Sequence, residues 1–221
     1  MQLPDRVRPS RTRRRDKLAP DPTVRREILS AASITLREEG VRGLSVATVL
    51  DRAGLSTRAF YRHFDSKDEL VAAVFVEMAR AEKRRLRRRM DAAANEVEAV
   101  TAWIDGRLDL AFDDNIKSDL RRASMEAQSQ MFASPHLVQL AYQEMLEPLT
   151  DALRRGLRLR VFDHIDPLTE AQYIHGVVWA GTERQWTIGD CDRNEVRERI
   201  LRFCLRGLGV TAETIAMCIN R

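Results

Sequence analysis

The sequence predicts an all-α protein, on three observations. Apolar residues recur at three- and four-residue spacing along most of the 221 residues, and no segment alternates apolar with polar as a half-buried strand does. Proline and glycine, 7 and 10 in number, are sparse after residue 22 except at joints between periodic stretches. At the early joints a hydroxyl or carboxylate stands just ahead of the next apolar period: Ser45, Ser56 or Thr57, Asp65 or Ser66. A side-chain oxygen there can accept from a free amide and start a helix. The length suffices for a buried core, as one large or two small domains.

Residues 1–22 combine Pro4, Pro9, Pro20 and Pro22 with Arg6, Arg8, Arg11, Arg13, Arg14, Arg15 and Lys17. Apolar side chains are too few to offset the entropy of ordering, so this stretch reads as a disordered basic arm. Such an arm either follows nucleic-acid phosphates or is a solvated tail. From Thr23 a helical stripe runs through Ile28, Ala31, Ala32, Thr35 and Leu36, ended by Gly40 and Gly43.

Ser45 then caps a short helix whose inward face is Val46, Val49, Leu50 and Ala53, and Gly54 closes it. Leu55 plugs the corner. A second short helix, Thr57 to Phe64, buries Phe60 and Phe64 four residues apart and turns Thr57, Arg58, Tyr61, Arg62 and His63 outward. One apolar face and one donor-rich face fit a recognition helix docked in a DNA major groove. A helical corner with a solvated polar face is the plainer alternative.

The fourth helix has Asp68 and Glu69 in its first turn, where the dipole favours acids, and Leu70, Val74, Met78 and Ala81 are expected to face inward. It touches both parts of the molecule and is the natural lever between them. Its continuation carries Arg80, Lys83, Arg84, Arg85, Arg87, Arg88 and Arg89. Three readings stay open for this run: a solvated face, extra DNA contact, or pairing with an acidic second domain. Beyond residue 90 further helices are expected at Glu96–Asp113, Lys117–Phe132, Pro135 to about Leu159 with a kink at Pro148, Leu168–Ile188 and Glu195–Leu208. Thr211–Asn220 adds a short last one.

Charge divides along the same line. Residues 1–90 hold 22 Lys and Arg against 12 Asp and Glu; the remainder holds 15 against 21. A basic first part and an acidic second suit a DNA reader joined to a separate module. Cys191, Cys204 and Cys218 have no zinc-ligand spacing, and their odd number argues against a disulfide framework. No apolar run approaches the ~20 residues of a membrane span and no signal peptide is read, so a cytoplasmic protein is expected. No nucleophile elbow, phosphate loop or dinucleotide fingerprint occurs, so neither catalysis nor a cofactor is expected.

The run GLSTRAFYRHFDSKDEL, residues 54–70, resembles the DNA-binding signature of the tetracycline-repressor (TetR) family of bacterial transcription regulators. The likeness covers residues 24–80; past residue 90 it rests on helix number and order. Arg58 stands where that family often has Gly. The resemblance implies a helix-turn-helix DNA-binding domain at 23–68 and a larger helical regulatory and dimerisation domain at 69–221. It implies a homodimer on a palindromic operator, released when a small, largely apolar effector binds; the alternative is a DNA-bound adaptor without an effector. Thr57, Arg58, Tyr61, His63 and Lys67, with Ser45 and Thr48, would hold phosphates and set register, and Ser56 belongs to the same DNA-binding set. Arg58 and Arg62 would read guanine edges, and Ala59 a thymine methyl.

On the helices that resemble the family's pocket walls lie Trp103, Phe112, Met125, Met131, Phe132, Tyr142, Met145 and Trp179, with Arg107, Glu126, Gln128 and His175 to orient a polar group. Ordinary core packing accounts for the same apolar residues. The last two long helices are the candidate dimer face, through Ile174, Val177, Val178, Gly181, Arg197, Ile200, Leu201 and Cys204.

Overall fold

The computed structural model describes residues 21–113 and 118–220. The basic arm through residue 20, and Lys117 at the expected start of the sixth helix, lie outside the described residues. All regular structure among those described is helical: α1 (Pro22–Gly43), α2 (Val46–Ala53), α3 (Thr57–Phe60), α4 (Lys67–Met90), α5 (Glu96–Phe112), α6 (Ser118–Ala133), α7 (Gln139–Arg158), α8 (Pro167–Ile188), α9 (Arg193–Gly207) and α10 (Ala212–Ile219). A single 3-10 turn, Pro135–Leu137, precedes α7, so Pro135 opens a turn and not the long helix itself. Pro148 sits inside α7, which continues through it.

Helix starts follow the capping chemistry. Asp21, Ser45, Ser56, Ser66, Asn95, Asp166, Asp192 and Thr211 each accept a backbone amide of the first turn. Asp21 places the start of α1 at Pro22, whose missing N–H costs nothing at the first position. Gly40 breaks the helical path near the end of α1, at φ 71° and ψ −178°.

Two cores form. Ile28, Ala32, Leu36, Leu44, Val49, Phe60 and Phe64 join Leu70, Val71, Val74 and Phe75 from the first half of α4, with Leu137, Val138 and Ala141 closing over them. The second half of α4, through Leu86 and Met90, enters a larger core with Val100, Trp103, Ile104, Leu108, Leu149, Leu153, Phe162, Ile174, Val178, Leu201 and Leu205. One helix of 24 residues therefore belongs to both cores. Its inward stripe differs from expectation in one turn: Ala81 is exposed and Glu82 takes the buried position.

The cationic run on α4 is largely paired. Arg80 and Lys83 reach Glu144, Lys83 and Arg87 reach Glu147, and Arg87 also reaches Asp151, all on α7. Arg85 meets Glu82, and Arg89 meets Asp109. Pairing with the acidic domain thus accounts for most of the run, while Arg84 and Arg88 are exposed. These ion pairs align α4 against α7 more than they stabilise it, because solvent screens exposed pairs.

Candidate functional site

The first site is built on α2 and α3. Ser45 accepts from Thr48 N–H at 3.0 Å, and the two hydroxyls lie 2.8 Å apart. Gly54 adopts the left-handed conformation (φ 64°) that ends α2, and Leu55 N–H returns to Leu50 C=O at 3.1 Å. Ser56 then accepts from Ala59 N–H at 3.3 Å and starts α3.

Only Thr57–Phe60 is regular α-helix, shorter than the expected Thr57–Phe64. The chain continues as a tight turn, with His63 N–H donating to Phe60 C=O at 2.8 Å and Phe64 N–H to the same carbonyl at 3.0 Å. The helical direction therefore persists to Phe64. Phe60 and Phe64 are fully buried with ring centroids 5.7 Å apart, and the Arg25 guanidinium lies 5.2 Å over the Phe64 ring.

Opposite these rings, Ser56, Thr57, Arg58, Tyr61 and Arg62 are exposed, Tyr61 by 60%. Ala59, Lys67, Ser45 and Thr48 are half-buried. His63 departs from expectation. It is half-buried and its Nδ1 is shut from solvent without a partner among the described residues, because it lies where the turn tightens toward Phe64.

The second site is a cavity of about 90 Å³ between α4, α5, α6, α7 and α8. Of the expected ligand residues, Arg107, Tyr142, Met145, His175 and Trp179 line it, as do Gln128 and Met131. Four others do not. Trp103 is fully buried in the larger core, Phe112 packs against that core, and Met125 and Phe132 are 51% and 85% exposed. The last two lie on the outer side of α6, a phase that composition alone does not give. Glu126 also turns away, toward α1. Sequence reasoning missed Phe75, Met78 and Glu82 on α4 and Ala123, Ser124 and Ala127 on α6. A signal for Glu82 existed: it stands in phase with Phe75, Met78 and Leu86, where a carboxylate needs a buried partner.

Electrostatics in the cavity wall centre on three groups. Glu82 Oε1 accepts from Arg107 Nη1 at 3.0 Å and from Arg85 Nη2 at 2.8 Å, while Oε2 accepts from Arg85 Nε at 2.8 Å. Burial pushes the Glu82 carboxyl up, but the two guanidinium groups outweigh it and hold its pKa below the ordinary value. Burial pulls Arg107 down, opposed by Glu82. His175 is pushed down to about 3, first by burial and then by the Arg107 charge, so it is neutral at pH 7. Its ring meets Tyr142 and Trp103 edge-on, with centroids 5.2 and 6.3 Å away.

Comparison with known proteins matches residues 28–74 to the bacterial regulatory proteins of the tetR family. Over that segment the chain is similar to the family. An uncharacterized HTH-type transcriptional regulator of Mycobacterium tuberculosis is 38% identical over 55 residues, 25% of this chain and 26% of the relative. This chain thus spans about a quarter of that relative's length. The HTH-type transcriptional regulator BetI of Stenotrophomonas maltophilia is 28% identical over 121 residues, 54% of this chain and 60% of the relative. Among solved structures, RolR in complex with resorcinol superposes with a TM-score of 0.65 at 16% identity, over 90% of this chain and 94% of RolR. FadR from Bacillus subtilis in complex with stearoyl-CoA gives 0.63 at 18%, over 82% and 98%. At these identities the likeness is one of fold.

The expected dimer residues are mostly internal. Ile174, Val178, Ile200, Leu201 and Cys204 are at most 5% exposed and sit in the chain's own larger core. Arg197 binds Asp105 through two nitrogens and also reaches the carbonyls of Cys218 and Ile219. Gly181 faces α9: a Cβ there would lie 2.9 Å from Ile200 Cδ1. The apolar stripe of α8 packs on α5, α7 and α9. Outward on α8 and α9 stand Tyr173, Gly176, Ala180 and Phe203, with half-buried Val177 between them. Among the described residues, no helix is long and apolar enough to cross a membrane.

Proposed function

We propose that this protein is a DNA-binding transcription regulator that acts as a homodimer and is released from a palindromic operator by a small effector. The observation that carries the reading is the division of residues 57–64. Two aromatic rings anchor the segment from behind while Arg58, Tyr61 and Arg62 stand in solvent. Arginine bidentate to guanine is the commonest base contact in a major groove. The neighbouring hydroxyls and Lys67 supply phosphate contacts that fix register.

A palindrome needs two such units ~34–36 Å apart, one turn of DNA. The outward stripe of Tyr173, Gly176, Val177, Ala180 and Phe203 is the face proposed for the second copy, since small residues permit close helix approach there. The cavity favours an effector-responsive regulator over an adaptor with a filled core. Phe75, Met78 and Glu82 form one wall, so a bound molecule would press on the same helix that closes the DNA-binding core. Full switching requires the effector to prefer the released form by ~5.5 kcal/mol. That the fold is shared with proteins solved with resorcinol and with stearoyl-CoA supports a ligand-holding second domain.

The test is selection of random duplexes by the purified protein, followed by anisotropy titration of the recovered sequence. An inverted repeat with half-sites one turn apart, bound by two chains, is expected. Recovery of no motif, or of a single half-site bound by one chain, refutes the proposal.

A further inference from the structure

Arg107 is 6% exposed, yet its guanidinium is only partly engaged. Nη1 donates to Glu82, while the Nε–H has no partner among the described residues. Glu82 has little more to give. Its two oxygens already take three donors, two of them from Arg85. Arg85 holds the larger share of this carboxylate in fork-to-fork geometry and also has Asp109 at 3.9 Å, so Arg107 is left with a minor share of Glu82. A buried cationic donor left without an acceptor is costly. Beside it His175, also 6% exposed, leaves Nδ1 unpartnered. Both residues line the cavity, whose other walls are mainly aromatic, methionine and alanine side chains.

We propose that this cavity takes a small planar organic acid: a carboxylate on a single ring or an equally short apolar body, its oxygens accepting from Arg107 and flanked by His175. The proposal rests on the effector-responsive reading above and names the chemical class of that effector. A carboxylate supplies both the missing acceptor and the missing negative charge. A cation meets the Arg107 charge and a Glu82 with three of its about four lone-pair sites taken. A neutral alcohol supplies an acceptor but leaves the charge unbalanced. The volume of about 90 Å³ sets the size. At roughly 10–15 Å³ for each water-sized probe position, it has room for a single ring.

The full chain is titrated at pH 7.5 with sodium benzoate, benzyl alcohol and benzylamine. Tryptophan emission is the first readout, since Trp179 lines the cavity, and the thermal midpoint is the second. Benzoate is expected to saturate and to bind about 10- to 100-fold more tightly than benzyl alcohol, the range of a charge-assisted hydrogen bond. Benzylamine is expected not to bind. Arg107→Gln should remove the preference and bring benzoate to the level of the alcohol. Because Arg107 also holds Glu82, a second variant guards against misfolding: Ser124→Leu fills the cavity from α6, disturbs none of these ion pairs, and should abolish benzoate binding in a folded protein. Alcohol or amine binding as tightly as benzoate overturns the acid assignment and leaves an effector cavity standing. Saturation by none of the three overturns the cavity as an effector site, while operator binding, measured separately, still judges the DNA-binding reading.

Discussion

Glu126 on α6 accepts a hydrogen bond at 3.2 Å from the backbone N–H of Val41, the residue just after the break in α1. Gln130 donates to the same oxygen at 3.1 Å and fixes the carboxylate from behind. The break itself is Gly40, and a Cβ there would come within 3.2 Å of the other Glu126 oxygen. One face of α6 therefore clasps α1, while Ala123, Ala127 and Met131 on the same helix line the cavity. A shift of α6 on filling the cavity would be felt at α1 directly, in addition to the route through α4.

Gly40 occupies a backbone region open almost only to glycine. Gly40→Ala is expected to cost about 1–3 kcal/mol in urea unfolding. Glu126→Ala, which removes an acceptor from a part-buried amide, should cost about 0.5–1.5 kcal/mol. A Gly40→Ala protein as stable as the parent would show that the break is not needed.

Arg58→Ala should weaken binding to the selected operator by ~1–3 kcal/mol and leave random-duplex binding almost unchanged. Anisotropy on both duplexes at one salt concentration reads the difference. Equal losses on the two would make Arg58 a phosphate contact.

His175 supplies a pH dependence whose sign follows from its depressed pKa. The folded protein holds it neutral down to about pH 3, whereas an unfolded histidine takes a proton near 6.5. Its contribution is fully present above pH 6.5 and is lost as pH falls from there toward 3, at up to about 1.4 kcal/mol per pH unit. His175→Asn should therefore show a shallower fall in stability than the parent between pH 6 and 4. Denaturant midpoints across that window test it, and parallel curves would contradict it.

Phe203 is 67% exposed on α9, on the face proposed for the second copy. Phe203→Arg is expected to shift the protein from dimer to monomer in sedimentation at micromolar concentration, with helical circular dichroism retained. A dimer that persists places the interface elsewhere.

Local chemistry sets the path of residues 21–66, and so it could be read from the chain. Ser45, Gly54 and Ser56 act on amides within a few positions, and Phe60 and Phe64 share a face whatever they pack on. Helix boundaries elsewhere came within a few residues for the same reason: caps and prolines work at short range. The phase of longer helices was a different matter. Met125 and Phe132 looked like pocket walls yet face outward, and Ile174, Val178 and Ile200 looked like a dimer seam yet pack inside. An apolar stripe records that a face is covered and says nothing of what covers it. The partnering of the α4 arginines with α7, the reach of Arg107 to Glu82, and the reach of Glu126 to Val41 join residues 25 to 85 positions apart. The tertiary structure alone decided those, because burial creates the demand for a partner and only the folded chain brings one near.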